Sequence, residues 1–338
     1  MIQLSYKPFQ LNLKYPFTIA KFSRTYTPIM LIELHYEGFT GLGEASMVPY
    51  MGEDYESAAA FLKKIDWSKI AYPFNYDEIR KYLGGLSAGL PAIKAAVDIA
   101  LHDLEGKLTG TPCYKFFESE KLLMPETSVT IGIDVPEIIA QKLSDAGPAK
   151  IIKVKLGRDN DRELINTIRS ITDKPLFVDA NQGWTDKYEA LDKVQWLAAK
   201  NVALIEQPMD KTNFEDNKWI TERSPIAIIG DEAVQRLEDV DKAAGIYHGI
   251  NVKLMKSAGM HEAYLMIKRA KELNLKILIG CMSETSIATM AAAALAPLCD
   301  WADLDGPFLT SNNPFPNPGF ENGKWLLPDV PGLGVPEI

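Results

Sequence analysis

Six short apolar segments between residues 150 and 306 end in charged residues of the types that bind cations and move protons. Lys153-Val154-Lys155 is followed by Asp179-Ala180-Asn181, Glu206-Gln207-Pro208, Asp231-Glu232, Lys253 and Asp303-Leu304-Asp305. Lys155, Asp179, Glu206, Asp231 and Lys253 succeed one another at intervals of 24, 27, 25 and 22 residues, each close to one strand plus one helix. Three carboxylates at neighbouring strand ends, Asp179, Glu206 and Asp231, suit a hard divalent cation with oxygen ligands, and Mg²⁺ is the expected ion. One such residue alone is more simply a helix cap, but three in register between lysines are not explained that way. Glu232 is an alternative ligand. Lys153 and Lys155, two apart on a strand, share a face. A nearby cation and a neighbouring ammonium both disfavour the charged form of a lysine, so Lys155 reads as a base and Lys153 as a group that lowers its pKa. With Lys253 on the far side of a substrate carbon, one lysine can remove a proton α to a carboxylate and the other return it from the opposite face. Mg²⁺ would then stabilise the ene-diolate between the two transfers. Asp303 and Asp305 put two carboxylates on one face, where an ammonium group fits. Lys256 reads as a solvated strand-end lysine.

These side chains need a scaffold that brings six strand ends to one rim. From Pro125 onward, apolar runs alternate with amphipathic helices, the pattern of repeated βα units around a parallel sheet. Eight strands are expected: Ser128 to Ile131, Ile151 to Lys155, Leu176 to Asp179, Ala203 to Glu206, Ile226 to Gly230, Ile250 to Lys253, Lys276 to Gly280 and Ala302 to Asp305. Seven helices fall between them, so the expected fold is α/β, a (β/α)7β TIM-like barrel that lacks its closing helix. The first part reads differently. Ile2 to Tyr6, Ile29 to Tyr36 and Thr40 to Glu44 look like strands, the last two a hairpin around Glu37-Gly38, and helical patterns follow, above all at Pro91 to Leu108. The expected division is an α+β capping domain over residues 1–124, the barrel over 125–310 and a segment 311–338 that returns to the capping domain.

Composition narrows the function classes. The 338 residues are 46% apolar and 24% charged, as in an ordinary soluble globular protein. With 36 basic and 45 acidic side chains the net charge is −9, and no Lys/Arg run offers a phosphate-binding stripe, so nucleic acid is not an expected partner. No apolar window is long enough for a membrane span, and the N-terminus lacks signal-peptide features, which points to a cytoplasmic protein with no membrane partner. Three scattered cysteines read as reduced thiols. The four histidines show no zinc-type spacing, so any metal must sit on oxygen. A homo-oligomer is left open.

The ordered set K-x-K, Asp, Glu, Asp and Lys resembles the site of the enolase superfamily, in particular its muconate-lactonizing subgroup. The segments AAVDIALHDLEGK at 95–107 and NVKLMKSAG at 251–259 are similar to the capping-domain helix and sixth-strand segment of that family, and the resemblance spans nearly the whole chain. It implies Lys155 and Lys253 as the acid/base pair, Asp179, Glu206 and Asp231 as ligands of one Mg²⁺ per subunit, Lys153 as a substrate-carboxylate contact and His102 as a structural helix residue. Racemases, cycloisomerases and succinylbenzoate synthases of the subgroup all keep the two lysines, so the eighth strand decides. D-x-D there resembles the dipeptide epimerases, which use it for the substrate's N-terminus, and Asp303 and Asp305 would take that role. The resemblance further implies capping loops that close over the site, with candidates at Ala20 to Tyr26 and Val48 to Glu53. Arg24 could pair with a side-chain carboxylate, which favours Ala-Glu-like dipeptides from peptidoglycan turnover. Thr130, Met282 and Ser283 are similar to substrate-lining positions. The expectation is a Mg²⁺-dependent dipeptide epimerase, an isomerase that inverts the α-carbon of the C-terminal residue. The rivals are N-acylamino acid racemase, o-succinylbenzoate synthase and a non-catalytic Mg²⁺/dipeptide-binding protein.

Overall fold

The computed structural model describes residues 1–19 and 23–336. A three-stranded antiparallel sheet comes first, built from β1 (Gln3–Thr18), β2 (Ser23–Tyr36) and β3 (Phe39–Ser46). The β2–β3 turn places Glu37 and Gly38 at φ of 50° and 82°, the left-handed pair that a two-residue hairpin requires. Strand β1 runs far beyond the expected Ile2 to Tyr6, past Pro8 and a register shift between Asn12 and Phe17. Proline interrupts the strand pattern in the sequence, yet β1 is an edge strand and so tolerates the missing N–H.

Three helices follow: α1 (Tyr55–Leu62), α2 (Tyr76–Leu86) and the long α3 (Pro91–Thr109). Helix α3 lies directly on the sheet because β3 carries Gly41 and Gly43, where an added Cβ would come within 2.1 Å of the Ala100 and Ala96 carbonyl oxygens. Ala96 and Ala100 are fully buried on the facing side, so small residues on both elements set the close approach.

The second sheet is the expected parallel one, with eight strands in sequential order. They are β4 (Ser128–Ile131), β5 (Ile151–Lys155), β6 (Leu176–Asp179), β7 (Val202–Glu206), β8 (Ala227–Gly230), β9 (Gly249–Lys253), β10 (Lys276–Gly280) and β11 (Trp301–Asp303). The first and last strands meet through a Thr127–Ala302 bridge, and the Thr127 hydroxyl accepts from the Leu304 amide at 2.6 Å, so the sheet closes on itself. Helices α4 (Pro136–Asp145), α5 (Asp161–Ile171), α6 (Lys187–Ala198), α7 (Phe214–Thr221), α8 (Leu237–Ala243), the short α9 (Leu254–Ser257), α10 (Met260–Glu272) and α11 (Ser286–Ala293) connect the strands. The eighth strand stops at Asp303, two residues before the expected end, because Gly306-Pro307 turns the chain into a single 3₁₀ turn. No closing helix follows among the described residues; the chain passes through a small hairpin, β12 (Phe320–Glu321) and β13 (Lys324–Trp325). Residues 329–333 then bond back to the first part, with the Leu333 amide on Asp103 Oδ1 at 2.8 Å and the Cys113 amide on the Gly332 carbonyl at 2.8 Å.

Candidate active site

Strand register builds the site. Lys155 of β5 pairs with Asp179 of β6, which pairs with Glu206 of β7, so a lysine and two carboxylates stand in one row across the rim. A second row joins Lys253 of β9, Gly280 of β10 and Asp303 of β11. In an eight-stranded closed sheet, strands four positions apart face each other across the axis. Strands β5 and β9 are such a pair, so Lys155 and Lys253 come from opposite walls. So are β7 and β11, which sets Glu206 across the mouth from Asp303.

Asp179, Glu206 and Asp231 are buried, and each offers an oxygen within 4.8 Å of the others. This all-oxygen, three-carboxylate set fits a hard divalent cation such as Mg²⁺. The electrostatics agree. Burial, and then the neighbouring carboxylates Asp179, Asp231 and Asp303, push the Glu206 carboxyl up to about 7 against the pull of Lys153, a deficit of positive charge at this point. Asp179 and Asp231 go the other way: burial works against their charge, but Lys155 and Lys153 hold Asp179 low and Lys253 and Lys256 hold Asp231 well below the carboxylate range. Asn251 Nδ2 donates to Glu206 Oε2 at 2.7 Å, and Gln207 Oε1 accepts from the Asp231 amide at 3.0 Å, so two uncharged side chains aim the ligands. Glu232 lies outside the triad, with Oε1 accepting from Asn181 Nδ2 at 3.3 Å.

All four lysines are buried. Lys155 Nζ lies 2.7 Å from Asp179 Oδ2, and Lys253 Nζ lies 2.7 Å from Asp231 Oδ2. Lys153 Nζ sits among Glu206 Oε1 at 2.7 Å, Asp303 Oδ2 at 2.6 Å and Asp179 Oδ2 at 3.4 Å. Burial opposes the charge of Lys253, but Asp231 outweighs it and holds the ammonium well above its usual range. Lys256 is not solvated as expected. Its Nζ donates to Asp231 Oδ1 at 2.6 Å and to the Asp231, Val234 and Asn251 carbonyls at 2.7 to 2.9 Å, because the α9 turn folds it back under the rim. Lys256 therefore braces Asp231, one of the three carboxylates that could hold a cation.

A cavity of about 530 Å³ opens above these groups, lined by Lys153, Lys155, Lys253, Asp231, Asp303 and Asp305 from the barrel and by Phe17, Ile19, Arg24 and Tyr50 from the first part. The two acids after the eighth strand differ. Asp303 is satisfied by Ser128 Oγ at 2.6 Å and by Lys153. Asp305 accepts the Thr130 amide at 2.6 Å on Oδ2 and is also held by the Thr130 side chain, and Oδ1 meets Cys281 Sγ at 3.8 Å. Burial, together with repulsion from Asp303, raises the Asp305 carboxyl to about 6, so a cation brought to it would be held.

Arg24 lies on β2, opposite Phe17, rather than in a loop; Ala20, Lys21 and Phe22 of that expected segment lie outside the described residues. Its Nη2 donates to Ser283 Oγ at 2.9 Å, while Nε and Nη1 are buried with no hydrogen-bond partner among the described residues. Burial lowers its pKa to about 10. Tyr50, on the second expected lid, donates to Met282 Sδ at 3.2 Å. That lid is anchored, since Glu53 accepts the Ala92 and Ile93 amides at 2.8 and 3.0 Å and so caps α3. Sequence reasoning missed Asn251, Lys256 and Phe17. Asn251 was within reach, because it stands two residues before Lys253 on one strand and so shares its face.

Comparison with known proteins agrees with this geometry. Residues 1–117 match the mandelate racemase / muconate lactonizing enzyme N-terminal domain, and residues 137–336 match the enolase C-terminal domain-like family. The chain is 49% identical, over 100% of its length and 88% of the relative's, to the L-Ala-D/L-Glu epimerase of Bacteroides thetaiotaomicron. It is 33% identical to the hydrophobic dipeptide epimerase of Enterococcus faecalis over 98% of both. The crystal structure of a dipeptide epimerase from Enterococcus faecalis V583 complexed with Mg and L-Leu-L-Tyr aligns with a TM-score of 0.91 at 30% identity over 99% of each chain. A substrate-liganded L-Ala-D/L-Glu epimerase from Bacillus subtilis aligns with a TM-score of 0.92 at 25% identity over 98% of each. With both halves matched and such relatives over its full length, the chain belongs to the mandelate racemase / muconate lactonizing enzyme family of the enolase superfamily.

Proposed function

We propose that this protein is a Mg²⁺-dependent dipeptide epimerase that inverts the α-carbon of the C-terminal residue, with Ala-Glu-like dipeptides as substrate. The observation that carries the reading is the pair of crossed axes in the rim. Lys155 faces Lys253 along one, and the carboxylate triad faces Asp303 and Asp305 along the other. A dipeptide has a carboxylate at one end and an ammonium at the other, so it lies along the second axis with its C-terminal α-carbon between the lysines. Asp179, Glu206 and Asp231 would hold a divalent cation, which would supply positive charge for a substrate carboxylate. One lysine takes the α-proton from its face, and the other delivers one from the opposite face, which inverts the centre. Lys153 adds charge toward the carboxylate, and Asp305, with Asp303 behind it, receives the ammonium. Thr130 fixes Asp305 through its amide, Ser283 and Met282 fix Arg24 and Tyr50, and the free guanidinium nitrogens of Arg24 suit a side-chain carboxylate on the second residue. The relative named L-Ala-D/L-Glu epimerase supports that choice.

An N-acylamino acid or a succinylbenzoate precursor has no ammonium to match Asp305, and a mere binding protein has no use for two opposed lysines. We read the protein as cytoplasmic and its substrates as dipeptides from peptidoglycan turnover; the described cysteines are unpaired, and no helix among the described residues is long and apolar enough to cross a membrane. We also read 1–124 as the capping domain, 125–310 as the barrel and 311–338 as the returning segment.

The test is proton NMR in D₂O with Mg²⁺ and a panel of L,L-dipeptides. Loss of the C-terminal α-proton of L-Ala-L-Glu with appearance of the diastereomer is expected. Exchange on N-acylamino acids alone would overturn the reading.

A further inference from the structure

A second cavity lies beside the catalytic one. It has a volume of about 790 Å³ and is lined mainly by apolar side chains, among them Leu13, Val129, Ile131 and Phe308. It sits over β4 and α4, at the side of the barrel where the closing helix is missing. The two cavities have Phe17, Thr130 and Leu309 in common, so these three side chains form the wall between them. Phe17 is the largest of the three, it comes from the capping sheet, and it is half-buried rather than part of the core. The same ring lies under two cations, 5.4 Å from the Arg24 guanidinium carbon and 5.6 Å from Lys155 Nζ.

The position of the wall is informative. Thr130 holds Asp305, so the wall stands at the end of the site that takes the substrate's ammonium. The side chain of the first residue of a dipeptide branches from the carbon that carries that ammonium. It therefore points at the wall, whereas the second residue's side chain points toward Arg24.

We infer that Phe17 is a specificity-determining residue, the partition that restricts the first residue of the dipeptide to a small side chain by closing the apolar cavity behind it. This rests on the dipeptide reading above. Removing the ring joins the two cavities and gives a large apolar first side chain an apolar place to lie, which a hydrophobic pocket rewards by about tenfold or more. It also removes the cation–π support of Lys155 and Arg24, which slows every substrate. The ratio of two substrates cancels that common loss.

The experiment measures kcat/KM for L-Leu-L-Glu and L-Ala-L-Glu by α-proton exchange, with wild type, Phe17→Ala, Phe17→Leu and Phe17→Tyr. The Leu-Glu to Ala-Glu ratio should rise at least tenfold in Phe17→Ala, rise less in Phe17→Leu and stay at the wild-type value in Phe17→Tyr. Leu13 lines only the outer cavity, so Leu13→Trp should leave the wild-type ratio unchanged and cancel the gain when added to Phe17→Ala. A proportional fall on both dipeptides in folded Phe17→Ala and Phe17→Leu overturns the inference while leaving the epimerase reading intact. Absence of exchange by the wild type on every dipeptide overturns that reading and the inference with it.

Discussion

Asp305 should discriminate between the candidate substrates more cleanly than Asp303, because Asp303 is already bound to Ser128 and the Lys153 ammonium while Asp305 lines the cavity and is held by the uncharged Thr130. A charge-assisted contact of about 1.5–3 kcal/mol corresponds to roughly 10- to 150-fold. Asp305→Asn should therefore lower kcat/KM for L-Ala-L-Glu by that factor, chiefly through KM, in steady-state exchange assays; unchanged turnover would point to a substrate without an ammonium. Arg24→Met tests the other end. It should cost L-Ala-L-Glu about 10- to 100-fold, the range of a lost charged contact, and leave L-Ala-L-Leu nearly untouched, since only the former offers a carboxylate to Nε and Nη1. The triad and the two opposed lysines were legible in the sequence because each strand delivers one charge at a regular interval. Phe17 and Lys256 were not. The first acts from a sheet distant in sequence, and the second depends on a four-residue helical turn that reverses the chain after Lys253.

Element geometry explains why such a rim stays ordered, and Gly280 shows it. It pairs with both Lys253 and Asp303, and a Cβ there would lie 2.6 Å from Asn251 Oδ1 and 3.1 Å from Lys253 Cε. The missing side chain on β10 is thus the space in which Lys253, one of the two proposed acid/base lysines, and the Asn251 amide stand. Gly280→Ala must displace one or both. Since a shift of about 1 Å in a catalytic group can cost about 10²-fold, kcat should fall by roughly 10- to 100-fold, while the circular dichroism spectrum stays that of the wild type. The barrel strands were readable to within two residues because buried parallel strands are short apolar runs with fixed turn signals. The capping arm was not. Pro8, Pro16 and the register shift before Phe17 break the alternation in β1, and only its edge position and its pairing with β2 make it a strand. The misreading of Arg24 as a loop residue came from the same source.

At the scale of the whole molecule, the capping part and the barrel are joined by carboxyl groups that accept hydrogen bonds at helix starts. Glu44 of β3 accepts the Thr285 amide and hydroxyl and the Ala288 amide at the start of α11, and Asp98 of α3 accepts the Met260 amide at the start of α10. These joints lie away from the carboxylate triad, and Lys153 bridges Glu206 and Asp179 within it to Asp303. A chelator should therefore abolish proton exchange while leaving the far-ultraviolet spectrum intact, and Mg²⁺ should restore turnover. Nothing in the sequence marked His102 as more than a helix residue, yet it sits at this junction. Its Nδ1 lies 2.9 Å from the Asp98 carbonyl and 3.4 Å from Asp98 Oδ1, with the Tyr76 ring stacked on it at 3.9 Å. Burial opposes its charge, but the Asp98 carboxylate and the bonds to Asp98 outweigh burial and raise its pKa above the ordinary 6.5. A group raised in the folded state adds stability that is complete below its unfolded pKa, about 6.5, and is lost as pH climbs through the folded value. Thermal denaturation of wild type and His102→Gln across this range should show the wild type more stable at pH 6, with the gap narrowing as the pH climbs above neutrality. A gap that does not change with pH would mean that the imidazole is neutral at the junction and that Asp98 holds α10 without it.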